Sequence, residues 1–373
     1  MNKDIEWFIV LFLSSYHILL PITLFWYISQ RGWPSLGMWV ALVTLIFLIG
    51  MGVTAGYHRF YAHKAYKIAK PIEVILLFFG TLAAENSAMR WAHNHRMHHI
   101  YTDTDKDPYS IKKGFWYAHI LCTFKKVEPI DKRIVQDLQN NRLVAFQHRY
   151  YNLLYILGNT SIIVFIGYFL NDFFGAFVFC YLLRTFLIHH STFFVNSLAH
   201  TWGAVPYTKE VSAVDNYAVA LLTLGEGYHN YHHAFASDYR NGIKWYHFDP
   251  TKWVIWTLSK LGLAKNLISF SKYTIKRRMI NEDKKFLLEN IKKSLHTKKM
   301  HFEKRIQEMA NKVTERLDVL RKSREEYLQG KKASLAKERI YQLKKSFKSN
   351  KKLFMASWND WKSIVKSADS GFK

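Results

Sequence analysis

Three short runs concentrate histidine in this chain: His58-Arg-Phe-Tyr-Ala-His63, His95-Arg-Met-His98-His99 and His229-Asn-Tyr-His232-His233. Together they supply eight imidazoles. In the second and third runs the rings fall at i, i+3 and i+4, one face of a helix. Neutral imidazoles aimed at a common point bind transition metals. Left without such a partner, that many polar rings in an apolar bundle would cost on the order of several kcal/mol. A further element, Asn196-Ser-Leu-Ala-His200, puts Asn196 and His200 on one helical face and raises the count to nine imidazoles. A structural zinc site needs only four ligands. Nine rings fill two sites of four or five, which points to a two-metal centre with open positions. The chain has only two cysteines, Cys122 and Cys180, so nitrogen and oxygen must do the binding. Imidazole suits zinc, copper, iron and nickel, and iron is the natural occupant where dioxygen is a co-substrate.

His17, His119, His148, His247, His296 and His301 stand alone and read as ordinary packed or exposed histidines. His189 and His190 lie in an apolar stretch, where lining a cavity and simple packing are both open. Asp103, Asp105, Asp107, Asp215, Glu226 and Asn230 lie near the clusters and are candidates to hold the second nitrogen of a ligating ring.

Something must bring these runs together, and the pattern around them is membrane-spanning. Four stretches are long and apolar enough to cross a bilayer, about Trp7–Ile28, Leu36–Gly56, Asn152–Leu170 and Phe173–Phe194. A fifth, Ile72–Ala84, is short and runs into Glu85, Asn86 and Arg90, so it reads as interfacial or buried against protein. The expected fold is all-α: four spans, a histidine-rich helical cap and a basic helical extension. The connections near Ser29–Pro34 and Asn171–Asp172 are short, and Arg31 is their only basic residue. The positive-inside rule then places the cap, all histidine clusters and both termini in the cytoplasm.

The net charge is +25, and most of it lies in the tail. From Ser271 onward 29 basic and 12 acidic residues give +17, leaving +8 for the rest, so nucleic-acid binding is not implied for the whole chain. Domains are expected at 1–270 and 271–373. Ile306, Val313, Leu320 and Tyr327 repeat every seven residues with Met309 at a d-like place, but Arg316 falls where the next d residue is due. Gly330 is a candidate break. Attachment to anionic lipid or to an acidic electron donor is one reading of the lysines, and Trp358 and Trp361 are candidate interface anchors.

About Trp7–Leu263 resembles the acyl-CoA Δ9 (stearoyl-CoA type) desaturase family of integral-membrane di-iron enzymes. The residues that carry the resemblance are Gly-Tyr-His58 through His63, Trp91-Ala-His-Asn-His95 through His99, the Thr102–Pro108 acidic turn, Asn196 through His200, and Gly225-Glu-Gly-Tyr-His229 through His233. The resemblance implies two iron ions held by His58, His63, His95, His98, His99, His200, His229, His232 and His233, with Asn196 approaching one metal through water. It also implies that Trp91 and Thr192 hold the bend of the acyl chain, and that Lys125 and Lys126 lie near coenzyme A phosphates. Glu85, followed by Asn86, stands where animal members have glutamine near that bend. His93-Asn94 replaces their Arg-Asp, so acyl-carrier protein and membrane-lipid carriers stay open. Leu42 and Ile46 are candidates for the tunnel end, with packing against another span the competing reading; their bulk suits a C16 chain.

The expected reaction is dioxygen-dependent insertion of a cis double bond at Δ9 of a C16–C18 acyl thioester. No His-Pro-Gly-Gly haem segment occurs, so electrons are expected from a separate donor such as cytochrome b5 or ferredoxin. A fatty acid or alkane hydroxylase shares the chemistry but fits the spacings less well. A metal transporter would carry its histidines along a path inside the spans. The look of Glu85-Asn-Ser-Ala and of Thr102 to Pro108 favours a bacterial inner membrane over the endoplasmic reticulum.

Overall fold

A computed structural model describes residues 4–126, 128–293 and 299–371. His296 lies outside them. Contacts divide the chain into two units: residues 1–205 with 210–269, and residues 206–209 with 270–373.

In the first unit α1 (Trp7–Arg31) and α2 (Leu36–Met51) form a hairpin. Gly32 turns it at φ +76°, and the Ser35 hydroxyl caps the next helix by accepting from the Met38 amide. Next come α3 (Lys70–Leu82), α4 (Ala88–Tyr101), α5 (Tyr151–Phe169) and α6 (Arg184–Asn196), then the cap helices α7 (His229–Ala234) and α8 (Pro250–Lys260). The only strands among the described residues are Lys67–Ile68 and Ala264–Lys265, paired antiparallel. Among the described residues, four helices are long and apolar enough to cross a membrane: Trp7–Arg31, Leu36–Ala62, Tyr151–Phe169 and Phe173–His200. Outward-facing Phe8, Leu11, Ile22, Phe25, Val43, Leu153, Ile156 and Phe165 would be an aggregation hazard in water and suit lipid. The chain is a multi-pass membrane protein.

The second and fourth spans are longer than their hydropathy suggests, because each carries a π-helical stretch and runs on into the histidine region. Gly52–Ala62 winds as a π-helix, so His58 lies inside the span rather than after it. The stretch is closely packed: a Cβ on Gly52 would sit 2.2 Å from the Gly80 amide nitrogen, so α3 presses directly on this backbone. In a π-helix the bond runs from i+5 back to i, and the His63 amide donates to the His58 carbonyl at 3.1 Å. The fourth span does not carry Asn196 and His200 on one α-helical face: α6 stops at Asn196, and Leu198–His200 winds as a 3₁₀ turn.

The second unit is a helical bundle of α9 (Lys272–Lys293), α10 (Lys299–Lys332) and α11 (Lys337–Gly371). Its core holds Ile280, Leu287, Ile306, Ala310, Val313, Leu317, Leu320, Phe354 and Trp361. The seven-residue repeat is real, and Leu317 fills the place that Arg316 could not. Gly330 continues the helix; the break comes at residues 333–336. Trp361 is fully buried and Trp358 packs against the same core, so neither is a free interface anchor.

Candidate metal centre

α4 presents His95, His98 and His99, α7 presents His229, His232 and His233, the π-helix presents His58 and its C-cap residue is His63, and the 3₁₀ turn presents His200. They converge as two quartets, His58–His63–His95–His232 and His98–His200–His229–His233, each with its ligand atoms within 4.8 Å of one another. His99 lies between them: its Nε2 is 3.1 Å from His95 Nε2 and 2.9 Å from His232 Nε2, and its ring stacks on His233 at 4.3 Å. Asn196 is half-buried at the end of α6, one turn before His200.

The donor set fits metal. Nε2 atoms face one another across the site, His58 to His232 at 3.0 Å, His63 to His95 at 2.7 Å and His98 to His233 at 3.2 Å. Several rings have the other nitrogen held. His98 Nδ1 donates to Asp107 at 2.9 Å, and His200 Nδ1 meets the Ser212 hydroxyl at 2.7 Å. Glu226 Oε2 lies 2.8 Å from His58 Nδ1. A ring that gives Nδ1–H to a carboxylate presents a lone pair at Nε2. Converging lone pairs repel unless a cation sits among them, and His200 Nε2 is buried without a partner. Burial first, and then the charge of neighbouring rings, holds His63, His95, His99, His229, His232 and His233 well below the ordinary imidazole range. Those six rings are therefore neutral, as ligation requires.

Around the rings is a shell of carboxylates. Asp103 accepts from the Ser212 amide and hydroxyl, both at 2.6 Å, and so reaches His200 through Ser212. Asp215 accepts from the Tyr231 amide, and Asn230 donates to the Ala213 carbonyl; both bonds position α7. Asp105 takes no such part: its backbone carbonyl accepts from Lys113. Burial alone would raise the Glu226 carboxyl, but the charges of Arg59 and His58 pull it down to about 2. Arg59 is fully buried, donating to Glu226 and to Asp249. Neither Arg59 nor Asp249 stood out in the sequence. The available signal was an arginine in an apolar span, which demands a partner.

Of the residues expected near substrate, Glu85 joins two others: it accepts from Trp91 Nε1 at 3.0 Å and from the Thr192 hydroxyl at 2.7 Å. Burial raises its carboxyl to about 7 against those two hydrogen bonds. Asn86 beside it has φ +73°. Leu42 is buried and Ile46 half-buried in α2. Lys125 lies over the Tyr117 ring at 5.1 Å, and the Lys126 amide donates to the Asp4 carbonyl.

The histidines outside the clusters are less solitary than they look. His148 bonds Ser87 and His247 stacks on Tyr228. His189 packs: Nε2 donates to the Ala83 carbonyl, leaving Nδ1 to accept from Tyr16. His17, His190 and His119 form a chain. His17 Nδ1 donates to the Leu13 carbonyl, its Nε2 meets His190 Nε2 at 3.0 Å, and His190 Nδ1 meets His119 Nε2 at 3.0 Å. His119 Nδ1 then meets the Ser197 hydroxyl, which also lies 2.8 Å from the Phe193 carbonyl.

Fold and site together define an integral-membrane protein with a polyhistidine centre fit for two metal ions. Residues 32–265 match the model of the fatty acid desaturase family, and the chain belongs to that family. It is 44% identical over 255 residues to a probable acyl-CoA desaturase of Schizosaccharomyces pombe, covering 65% of this chain and 53% of that one. Against acyl-CoA desaturase 1 of Saccharomyces cerevisiae it is 40% identical, covering 70% and 52%. Against the sn-2 palmitoyl-lipid 9-desaturase of Nostoc it is 36% identical, covering 72% and 92%. The chain thus spans about half the length of the two yeast relatives.

Proposed function

We propose that this chain is a dioxygen-dependent desaturase that inserts a cis double bond at Δ9 of a C16–C18 fatty acyl thioester, acyl-CoA first among carriers. The observation that carries this reading is the pair of converging histidine quartets, with His99 between them, in a chain of the fatty acid desaturase family. Two irons bound there would supply the redox chemistry that unactivated methylenes require and that no acid–base side chain can provide. His58, His63, His95 and His232 would hold one, and His98, His200, His229 and His233 the other. His99 and, through water, Asn196 complete the set.

The protein's own part is position and exclusion of water. Glu226 and Asp107 fix the tautomers of His58 and His98. Glu85 ties Trp91 on α4 to Thr192 on α6, which holds the walls beside the rings at one separation and so fixes which carbons meet the centre. Leu42 and Ile46, about three to four turns of α2 before His58, would close the far end of the acyl tunnel. Lys125 and Lys126 would meet the phosphates of the carrier. Overall, one saturated chain, one dioxygen, two electrons and two protons give one alkene and two waters. The electrons come from a separate donor of the cytochrome b5 or ferredoxin kind. Residues 1–270 carry this reaction in our reading, the histidine face and both termini lie in the cytoplasm, and a bacterial inner membrane is the favoured location.

The test is the double-bond position in total fatty acids, read by mass spectrometry from cells expressing the intact chain and from cells expressing His232→Ala. New Δ9 monounsaturates with the intact chain alone support the reading. A hydroxylated product would move the chain to hydroxylation. Separating thioester from phospholipid fractions in a short pulse identifies the carrier.

A further inference from the structure

The second unit contains a groove whose charges have no counterpart. Where α9, α10 and α11 meet, Lys272, Tyr273, Lys276, Phe347, Lys351 and Phe354 line a cavity of about 90 Å³. Its floor is apolar, closed by Leu317 and Leu320, and Met355 and Leu353 are exposed beside it. Its rim is cationic. Lys272, Lys276 and Lys351 make no ion pair among the described residues, whereas nearby Arg277 pairs with Asp318 and Arg278 with Glu282. Two of these lysines rest on aromatic faces instead: Lys276 Nζ is 3.9 Å from the Trp358 centroid, and Lys272 Nζ is 5.2 Å from that of Tyr273. The first ten residues of α9 hold four basic and no acidic residues, and α11 from Arg339 to Asn359 holds six and none. Burial first, then the neighbouring charges of Arg324 and Lys351, lowers the Lys272 amine. Lys276 is lowered likewise, by burial and then by Lys362 and Lys272. A bound anion would relieve both.

We infer that this face of the bundle docks on an anionic phospholipid surface, the Lys272–Lys276–Lys351 rim taking headgroup phosphates and the apolar floor the first methylenes of a lipid chain. Apolar floor, aromatic collar and bare lysines together match an amphiphilic anion better than an acidic peptide, which would pair the charges and leave the floor uncovered. The occupant is also always within reach, because the chain itself spans the bilayer and the linkage converts docking into an intramolecular event. The inference stands apart from the chemistry proposed for the histidine centre.

The test uses the full chain in nanodiscs of phosphatidylcholine alone or with about 30% phosphatidylglycerol, a charge density of the kind such lysine clusters recognise. Amine acetylation is read residue by residue by mass spectrometry. Expected is roughly fivefold slower labelling of each of Lys272, Lys276 and Lys351 in the anionic discs, lost at about 0.5 M salt. Lys285, on the opposite face of α9, should label equally in both. Lys348 and Lys352, on the same helix as Lys351, should also label more slowly in the anionic discs, and in the K272Q/K276Q/K351Q variant they should label equally in both. These three side chains lie outside the bundle's core, so a circular dichroism spectrum unchanged by the substitutions separates lost docking from lost fold. Equal labelling in the two lipids overturns the inference. So does protection that appears only when an acidic electron-donor protein is added, which would make this a protein-docking face.

Discussion

Replacing Glu226 with glutamine should damage the centre without removing a single imidazole. The carboxylate is surrounded only by donors: Arg59 Nε and Nη2 on Oε1, Asn241 Nδ2 and His58 Nδ1 on Oε2. An amide has one oxygen to offer, so its NH₂ must face N–H groups on one side. If the amide turns toward His58, that ring loses the acceptor that keeps its proton on Nδ1. Outer partners of ligating histidines typically contribute 10–100-fold in metal affinity, and a loss of about that size is expected here. Stability should fall too. Glu226 is depressed from 4.5 to about 2, which corresponds to about 3 kcal/mol of folding stability at neutral pH. The sign follows from the depression: the stabilisation is complete above the unfolded carboxyl value and disappears as pH falls through about 2. Asp249 still pairs with Arg59 in the variant, so the net loss should lie below the 3–5 kcal/mol typical of an orphaned buried charge. The assay is metal content under graded chelator, beside thermal unfolding of metal-stripped protein. Asp249→Asn is the control, because it weakens the Arg59 network without touching a ring. Metal retention equal to the parent, with only the melting temperature lowered, would refute the claim that Glu226 orients His58.

Glu85→Gln should keep the bridge between Trp91 and Thr192 while removing a titrating group. Because the carboxyl is raised to about 7, the parent should lose stability as pH rises from the unfolded value near 4.5 to about 7, and the variant should lose less; parallel melting curves at pH 5 and 8 would count against this. Ile46→Ala should shift the products toward longer chains, and an unchanged chain-length profile by gas chromatography would leave packing as its only role. Gly52→Leu should displace α3 from the π-helix, since even a Cβ would meet the Gly80 amide at 2.2 Å; expected are loss of folded yield and of metal together, and wild-type levels of both would be contrary evidence.

Much of this centre was legible because helical spacing is a strong constraint. His95-x-x-His-His and His229-x-x-His-His can face only one way on an α-helix, and α4 and α7 present them so. The first run was the opaque one. Residues five apart diverge on an α-helix, and only the π-winding of Gly52–Ala62 brings His58 and His63 together. No local preference announces that winding, and the helix it packs against, α3, is a tertiary neighbour. The same holds for Arg59 with Glu226 and Asp249, whose partners lie 167 and 190 residues away. In the tail, the repeat of Ile306, Val313 and Leu320 announced packing. It could not say that Trp361, from a helix that starts later, would complete the core.

The His17–His190–His119 chain is one hydrogen short. Five contacts link the Leu13 carbonyl, three imidazoles, the Ser197 hydroxyl and the Phe193 carbonyl, and each needs one hydrogen. Three neutral imidazoles and one hydroxyl own four. Both ends are carbonyls, which only accept, so no choice of tautomers closes the deficit. The neutral chain always contains one missing link, and that vacancy can sit at any of the five positions by moving protons along the rings. One further proton would fill it and leave the three helical segments joined by a shared positive charge.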